Sequence, residues 1–305
     1  MIQLSNSIVK ELFSPVFCGG KSRERNAMDN KKYGNNRSRN NDRYKGDRRE
    51  REPRRQETEE MSEGVVIGRN AVRELLKSGR DIDKIFVARG EREGSIVVIV
   101  AEAVEKKIPV VEVDKIKLDK MSGFTPHQGV VAMAAEKEYC SVEDILGIAE
   151  ERGEKPLIVI SDGISDPHNL GALIRCAEGV GAHGIIIPKR RAVGLTPVVT
   201  KASAGAIEHM AIAKVPNIAA CIEELKERGV WIFSAEAGGQ PYYKTDFKCP
   251  CALVFGSEGD GVSKLVKDRS DYIVSIPMYG KVNSFNVSTA AAIILAEASR
   301  QHRSN

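Results

Sequence analysis

The chain is poor in the residues that mark metal centres, disulfide scaffolds and membrane spans. Its six cysteines (18, 140, 176, 221, 249 and 251) include no CxxC pair, and its five histidines show no ligand spacing. Both patterns argue against a structural zinc site. No apolar run approaches the roughly 20 residues needed to cross a bilayer, and the broken apolar patches of residues 1–20 make a poor signal peptide. We therefore expect a cytoplasmic protein that binds no metal and no membrane.

Positive charge is concentrated at one end of the chain. The first 60 residues hold 15 lysines and arginines against 10 acidic residues, a net of +5, while the whole chain carries +4, so residues 61–305 carry −1. Residues 21–60 are nearly free of aliphatic side chains, which predicts a disordered basic tail. Such a tail suits a polyanionic partner, and a solvated leader without a partner explains it equally well. Tyr33 and Tyr44 could stack on exposed bases.

A small α/β domain is predicted over residues 64–136. Ala71, Val72, Leu75 and Leu76 share one face of a helix over residues 69–78, which Gly79 ends. The patterns that follow predict helices at 95–107 and 115–121, and strands at 85–88, 109–113 and 129–133. Residues 137–155 form a charged linker that includes a helix over 142–151.

A second domain over residues 156–305 alternates apolar strands with helices. Strands are predicted at 157–160, 184–187, 209–212, 230–233, 252–255 and 272–276, and helices at 169–180, 197–207, 217–228, 262–268 and 287–300. Thr196 and Asn217 are expected as helix N-caps. Strands that are apolar throughout favour a parallel sheet covered on both faces. Ligands of such sheets bind beyond the carboxyl ends of the strands, so the loops after residues 160, 255 and 276 are the candidate site.

The first of these loops contains Asp166-Pro167-His168-Asn169 and leads into a helix that carries Arg175. Six helical residues turn through about 600°, so Asn169 and Arg175 do not share a face if both are helical. They could still point into one site if Asn169 begins the helix. For this loop taken alone, the simpler explanation is that Asn169 is a plain N-cap and Arg175 a surface cation.

The other two loops offer small and hydrogen-bonding residues. Gly256-Ser257-Glu258-Gly259-Asp260-Gly261 allows tight turns and a close approach to a ligand, but it is neither a GxGxxG nor a P-loop, and a structural turn explains the glycines. Glu258 within it could accept a hydrogen bond from a hydroxyl group. The third loop runs from Ile276 to an alanine-rich helix, and capping explains Asn286 or Ser288 without any function.

Together the three loops resemble the motifs of the SpoU (TrmH-like) RNA ribose methyltransferases. Those motifs are Asp-Pro-x-Asn-x-Gly-x-x-x-Arg, Gly-x-Glu-x-x-Gly and Ile-Pro-Met-x-Gly-x-x-x-Ser-Leu-Asn-Val-Ser. The likeness covers residues 156–305 in order, with Phe285 in place of the usual leucine. Residues 64–136 are similar to the small RNA-binding domain of the branch that methylates guanosine in large-subunit ribosomal RNA.

The resemblance implies a fold and a set of site residues. It implies an α/β methyltransferase domain of the SPOUT class with a parallel sheet and a C-terminal trefoil knot, preceded by the small α/β RNA-binding domain, in a homodimer. It implies S-adenosylmethionine as the cofactor, held by Gly256, Ile276, Met278 and Phe285. The active-site residues it implies are Asn169, Arg175, Glu258, Ser284 and Asn286, with Asn169 orienting Arg175.

The implied reaction transfers a methyl group to a ribose 2′-hydroxyl. The favoured substrate is a guanosine in 23S ribosomal RNA. Arg175 would be either the base or a clamp on the neighbouring phosphate. Transfer RNA is the alternative substrate, and a non-catalytic RNA-binding protein is the alternative of another class. The lack of GxGxxG after the first strand of the second domain argues against a nicotinamide-dependent enzyme.

Overall fold

The computed structural model describes residues 64–90 and 93–304, which form two sheets with their covering helices. The predicted basic tail, with Tyr33 and Tyr44, lies outside these residues. The first sheet has the strand order β1-β4-β2-β3, with β4 antiparallel to β1 and β2, and β3 parallel to β2. Its elements are β1 (Val65–Ile67), α1 (Arg69–Ser78), β2 (Ile82–Ala88), α2 (Ser95–Glu105), β3 (Val110–Val113), α3 (Lys115–Met121) and β4 (Val130–Ala134).

The amphipathic pattern of the first helix is confirmed in full. α1 has the predicted bounds, and its buried residues are Ala71, Val72, Leu75 and Leu76. Gly79 ends the helix in the left-handed conformation, with φ of 78°, which glycine adopts without steric cost. Strand β1 was not predicted, because three residues are too few for a period-two pattern to show.

The second sheet consists of six parallel strands in the order β10-β8-β9-β5-β6-β7. One face packs against α5, α6 and α9, and the other against α4, α7 and α8, as expected for a sheet with apolar strands. The elements are α4 (Val142–Glu151), β5 (Leu157–Asp162), α5 (Pro167–Gly179), β6 (Gly184–Pro188), α6 (Pro197–Ala202), β7 (Ile212–Val215), α7 (Ile218–Glu227), β8 (Trp231–Pro241), β9 (Cys251–Gly256), α8 (Lys264–Arg269), β10 (Tyr272–Ser275) and α9 (Val287–Arg303).

The segment predicted as a linker holds a helix that packs into the second domain. Ser141 and Asp144 form a capping box at the start of α4, which fixes where the helix begins. Ile145 is fully buried and lies over Gly184, where a Cβ atom would come within 2.5 Å of its side chain. Thr196 and Asn217 cap α6 and α7 as predicted.

The strand predicted over residues 209–212 is wrong. Helix α6 ends at Ala202 instead of residue 207, because Ala204 and Gly205 take positive φ angles of 53° and 98°. A short 3-10 helix, Ala206–Glu208, follows, and the strand starts only at Ile212. This segment contacts the first domain, which no local pattern reveals.

Buried charge marks that contact between the two domains. The Glu208 carboxylate lies 3.2 Å from the Arg80 guanidinium, and the Glu208 side chain is only 1% exposed. His209 contacts Glu74 of α1 at 2.9 Å. Burial raises the pKa of Glu208 above its usual range, although Arg80 and Lys137 oppose the shift. These pairs keep residues 206–209 against α1 and away from the sheet.

Two glycines of α5 give a matched test of packing. A Cβ atom on Gly171 would lie 2.5 Å from Ala202 Cβ and 2.8 Å from the Val199 carbonyl oxygen, whereas nothing lies within 4 Å of one on Gly179. We expect Gly171→Ala to lower the free energy of unfolding by about 1–3 kcal/mol. Gly179→Ala, the control, should raise it by about 0.4–1 kcal/mol. Urea unfolding measures both, and equal effects would contradict this account of the α5–α6 contact.

Candidate active site

The three predicted loops lie at the carboxyl edge of the second sheet. They follow β5, β9 and β10, and β5 and β9 are direct neighbours. A cavity of about 1190 Å³ opens at this edge, and its lining includes Glu236, Gly256, Glu258, Ile276, Met278 and Phe285. None of the described helices is long and apolar enough to span a membrane. Within residues 64–90 and 93–304, no three potential metal ligands converge.

Asn169 is not the N-cap of its helix. Asp166 has that role, since its side chain accepts a hydrogen bond from the His168 amide at 2.8 Å, and Pro167 is the first helical residue. Asn169 is therefore the third residue of α5 and is only 7% exposed. Its Oδ1 accepts a hydrogen bond from Asn286 Nδ2 at 2.9 Å. The capping explanation for Asn169 is thus wrong.

The glycine loop after β9 is a closed turn with Glu258 near its tip. Ser257 and Gly261 exchange two backbone hydrogen bonds of 3.1 Å. A Cβ atom on Gly256 would lie 2.0 Å from the Gly261 carbonyl carbon, so only glycine fits there. Glu258 Oε1 accepts a hydrogen bond from Asn286 Nδ2 at 2.6 Å.

Asn286 joins all three loops. Its Oδ1 caps α9 by accepting hydrogen bonds from the Ser288 amide at 2.9 Å and the Ser288 hydroxyl at 2.6 Å. Its Nδ2 donates to Asn169 and to Glu258. The capping explanation is correct for Asn286, but it accounts for only one end of the side chain. The other end links two segments that are distant in sequence.

Arg175 of α5 is exposed to solvent. Among the described residues Arg175 forms no hydrogen bond or ion pair. In particular, it forms no hydrogen bond with Asn169. Its neighbour Cys176 contacts the Ser288 carbonyl at 3.7 Å, which sets this part of α5 beside the first turn of α9. Burial raises the pKa of the Cys176 thiol, so a thiolate nucleophile is not available there at neutral pH.

The loop between β10 and α9 is open to solvent. Ser284 lines the cavity and is exposed. Phe285 is 44% exposed, Tyr279 91% and Val282 68%. Met278 and Ile276 are half-buried in the same wall. The structure thus brings Ser284 and the four expected cofactor residues to one cavity.

Two carboxylates of this edge were not predicted. Asp162 at the end of β5 accepts a hydrogen bond from the Ser263 amide at 2.7 Å. Glu236 on β8 accepts one from the Val262 amide at 2.6 Å. The only sequence signal for Asp162 was its position just after an apolar run. Glu236 lacked this signal, because β8 extends beyond the apolar residues from which it was predicted.

Both domains match models of known families. Residues 156–296 match the SpoU rRNA Methylase family, and residues 65–140 match the RNA 2′-O ribose methyltransferase substrate-binding family. YacO of Bacillus subtilis (strain 168), named as a TrmH family tRNA/rRNA methyltransferase, is 46% identical over 237 residues, which cover 77% of this chain and 95% of YacO. The chain belongs to the SpoU (TrmH) family of RNA methyltransferases.

Other relatives agree with this membership. A TrmH family tRNA/rRNA methyltransferase of Staphylococcus haemolyticus (strain JCSC1435) is 44% identical, over 79% of this chain and 97% of the relative. The crystal structure of the SpoU methyltransferase AviRb from Streptomyces viridochromogenes, in complex with AdoMet, matches with a TM-score of 0.66 and 25% identity. The match covers 79% of this chain and 91% of AviRb.

The residues of the cavity fit the cofactor of this family, S-adenosylmethionine. The cavity volume of about 1190 Å³ exceeds what a ligand of that size requires. Gly256 leaves its wall without a side chain, and the half-buried Ile276 and Met278 provide apolar contact surface. The protein is therefore an S-adenosylmethionine-dependent RNA methyltransferase of the SpoU family.

Proposed function

We propose that this enzyme methylates the 2′-hydroxyl of a ribose, that of a guanosine in large-subunit (23S) ribosomal RNA. The observation that supports the site most directly is the hydrogen-bonded set of Asn169, Asn286 and Glu258, which links three loops beside one cavity. These residues, with Arg175 and Ser284, are the proposed active site. Gly256, Ile276, Met278 and Phe285 are the proposed cofactor contacts.

The cofactor supplies a methyl group on a sulfonium, whose sulfur is a good leaving group. The protein then has two tasks, which are to align the hydroxyl with the methyl group and to assist loss of its proton. Asn286 fixes the Glu258 carboxylate from one side, and this leaves its second oxygen to accept from a ribose hydroxyl. Arg175 is exposed and has no hydrogen-bond or ion-pair partner among the described residues, which suits contact with a phosphate.

The proposed RNA surface of the first domain is the edge where β1, β2 and β3 end and β4 begins. Arg89 donates its amide to Val113, and Ala88 to Gly129, so the loops of this edge are adjacent. Phe124 projects from one of them, 79% exposed and with a φ of 59°. A bulky residue in this conformation is strained, and such strain is common at binding sites.

The Phe124 loop is held by hydrogen bonds of His127 and follows a helix that carries three exposed lysines. His127 accepts the Gly129 amide at Nδ1, so its Nε2 donates to Asp119, at 3.1 Å. Lys115, Lys117 and Lys120 are exposed on α3, the helix that precedes the loop. An aromatic ring among lysines suits an unpaired base with its phosphates.

Phe124→Ala is expected to weaken RNA binding by about 10-fold, because the stacking of one base contributes about 1–3 kcal/mol. Val104→Ala is the matched control, since Val104 is 66% exposed at the end of α2, on the opposite edge of the same sheet. Filter binding with a ribosomal RNA fragment measures both affinities. Equal affinities of the two variants would contradict the proposed surface, and cofactor binding should be unchanged in each.

The decisive experiment maps 2′-O-methyl groups in ribosomal and transfer RNA from cells with and without the gene. Loss of one guanosine methyl group in 23S RNA is the expected result. Loss in a transfer RNA would favour the alternative substrate. No loss in either RNA, in a protein that still binds RNA, would favour a non-catalytic RNA-binding protein.

We also propose a homodimer and the C-terminal trefoil knot implied by the family resemblance, in a cytoplasmic enzyme. The exposed side chains of Tyr279, Val282 and Phe285 beside the cavity support an interface, since three neighbouring apolar groups are costly to leave in water. Sedimentation should give twice the monomer mass, and a Val282→Glu variant should be monomeric. Mechanical unfolding tests the knot, because a knotted chain extends less than roughly 3.3–3.6 Å per residue.

A further inference from the structure

The glycine loop lies between two carboxylates that come from the strands on either side of it. Strand β9 is flanked by β5 and β8. Asp162 of β5 pairs directly with Gly256. Glu236 of β8 lies two residues beyond Ser234, the last residue of β8 that pairs with β9, and its carboxylate lies against Gly261 at the end of the loop. One carboxylate is therefore paired with the first residue of the loop through its backbone, and the other contacts the loop's last glycine.

Each carboxylate holds one of two consecutive amides where the loop ends. Glu236 Oε1 accepts from the Val262 amide at 2.6 Å, and Asp162 Oδ2 accepts from the Ser263 amide at 2.7 Å. Glu236 Oε2 also pairs with Lys267 at 3.1 Å, and the Glu236 side chain is only 18% exposed. Hydrogen bonds of this charged type are shorter and stronger than neutral ones.

This arrangement fixes the loop that carries Glu258. A Cβ atom on Gly261 would lie 2.2 Å from Glu236 Oε1, so the loop passes directly against this carboxylate. Gly256 and Gly261 are in contact with each other, and a shift at Gly261 would therefore move the cavity wall. Glu258, between them, would move away from Asn286.

We propose that Asp162 and Glu236 are positioning residues for methyl transfer, which act through the backbone of residues 256–263 on Glu258 and on the cofactor cavity. This inference rests on the proposed role of Glu258. Neither carboxylate needs to touch the reacting atoms.

The test compares Glu236→Ala with Glu236→Gln. The alanine variant leaves the Val262 amide without its acceptor, and we expect the Kd for S-adenosylmethionine to rise about 10-fold and kcat to fall about 10-fold. Glutamine keeps Oε1 as an acceptor for that amide, so it should recover both values to within about 3-fold of wild type. The Kd for RNA should not change in either variant. Calorimetry measures cofactor binding without RNA.

Glu223→Ala is the matched control. Its carboxylate pairs with Arg269 at the other end of α8, at 3.5 Å, so it has a similar structural contact but lies away from the glycine loop. Wild-type cofactor affinity in Glu236→Ala would overturn the inference. Equal impairment of the alanine and glutamine variants, with equal loss of Tm, would do so as well, because it would indicate a structural role only.

A second pair of variants covers the case in which Glu236→Ala does not fold. Asp162→Asn keeps an acceptor for the Ser263 amide and Asp162→Ala removes it, so the same difference between the two variants is expected. Failure of the wild-type protein to methylate RNA would refute the proposed function instead. The cofactor-binding comparison would still decide whether these carboxylates position the loop.

Discussion

Asn286→Asp is expected to lower kcat by at least about 100-fold while leaving the fold intact. Aspartate still accepts from the Ser288 amide, so α9 keeps its N-cap. It cannot donate to Asn169 or Glu258, and it brings a second carboxylate to a position now 2.6 Å from Glu258 Oε1. Single-turnover methylation at saturating cofactor and RNA measures the effect on the chemical step.

The same substitution should change the pH dependence of the rate. Two carboxylates at this distance cannot both ionise easily, so the pKa of one is raised. The carboxyl group that is protonated can then donate a hydrogen bond to the other carboxylate. The ratio of variant to wild-type rate should therefore rise as the pH falls from about 8 to about 6.

Asn217→Asp is the control for the capping role. Asn217 caps α7 by accepting from the Ala219 and Ala220 amides, and it lies on the opposite face from α9. Its variant should keep full activity at every pH. Activity of Asn286→Asp within about 3-fold of wild type at pH 8 would contradict the role given to the Asn286 donor.

Local patterns predicted most of the strands and helices because each is set by its own residues. The apolar runs at 157–160 and 252–255 lie in the central strands β5 and β9. The elements that were missed depend on distant partners. The segment Ala206–Glu208 is held against the first domain by Arg80, and the periodicity of the sequence cannot reveal an ion pair between domains.

The candidate site was predictable as three loops but not as a set of contacts. The strand order brings Asn169 and Asn286 together across 117 positions of the chain, and that order cannot be inferred from periodicity. Resemblance to the family motifs singled out both residues. It did not single out Asp162 and Glu236, whose function depends on which strands flank β9.

Arg175→Ala is expected to lower kcat/KM by about 100-fold, mainly through weaker RNA binding. Arg175 is exposed and has no partner in residues 64–90 and 93–304, which leaves all its donors free for a phosphate. A guanidinium carries only donors and has no acceptor atom, so it is not arranged to take up the hydroxyl proton. We therefore expect a phosphate clamp.

Arg175→Lys separates the clamp from the base. Lysine keeps the charge but loses the paired donors of the guanidinium, so a clamp predicts partial recovery of RNA affinity and an unchanged pH profile. In Arg175→Ala the slope of log affinity against log salt concentration should become shallower, by the amount that corresponds to about one phosphate contact. Arg152→Ala, at the C-terminal end of α4 on the amino edge of the sheet, is the control and should leave all three measurements unchanged. A pH profile shifted by Arg175→Lys, with RNA affinity preserved, would instead make Arg175 the group that accepts the hydroxyl proton.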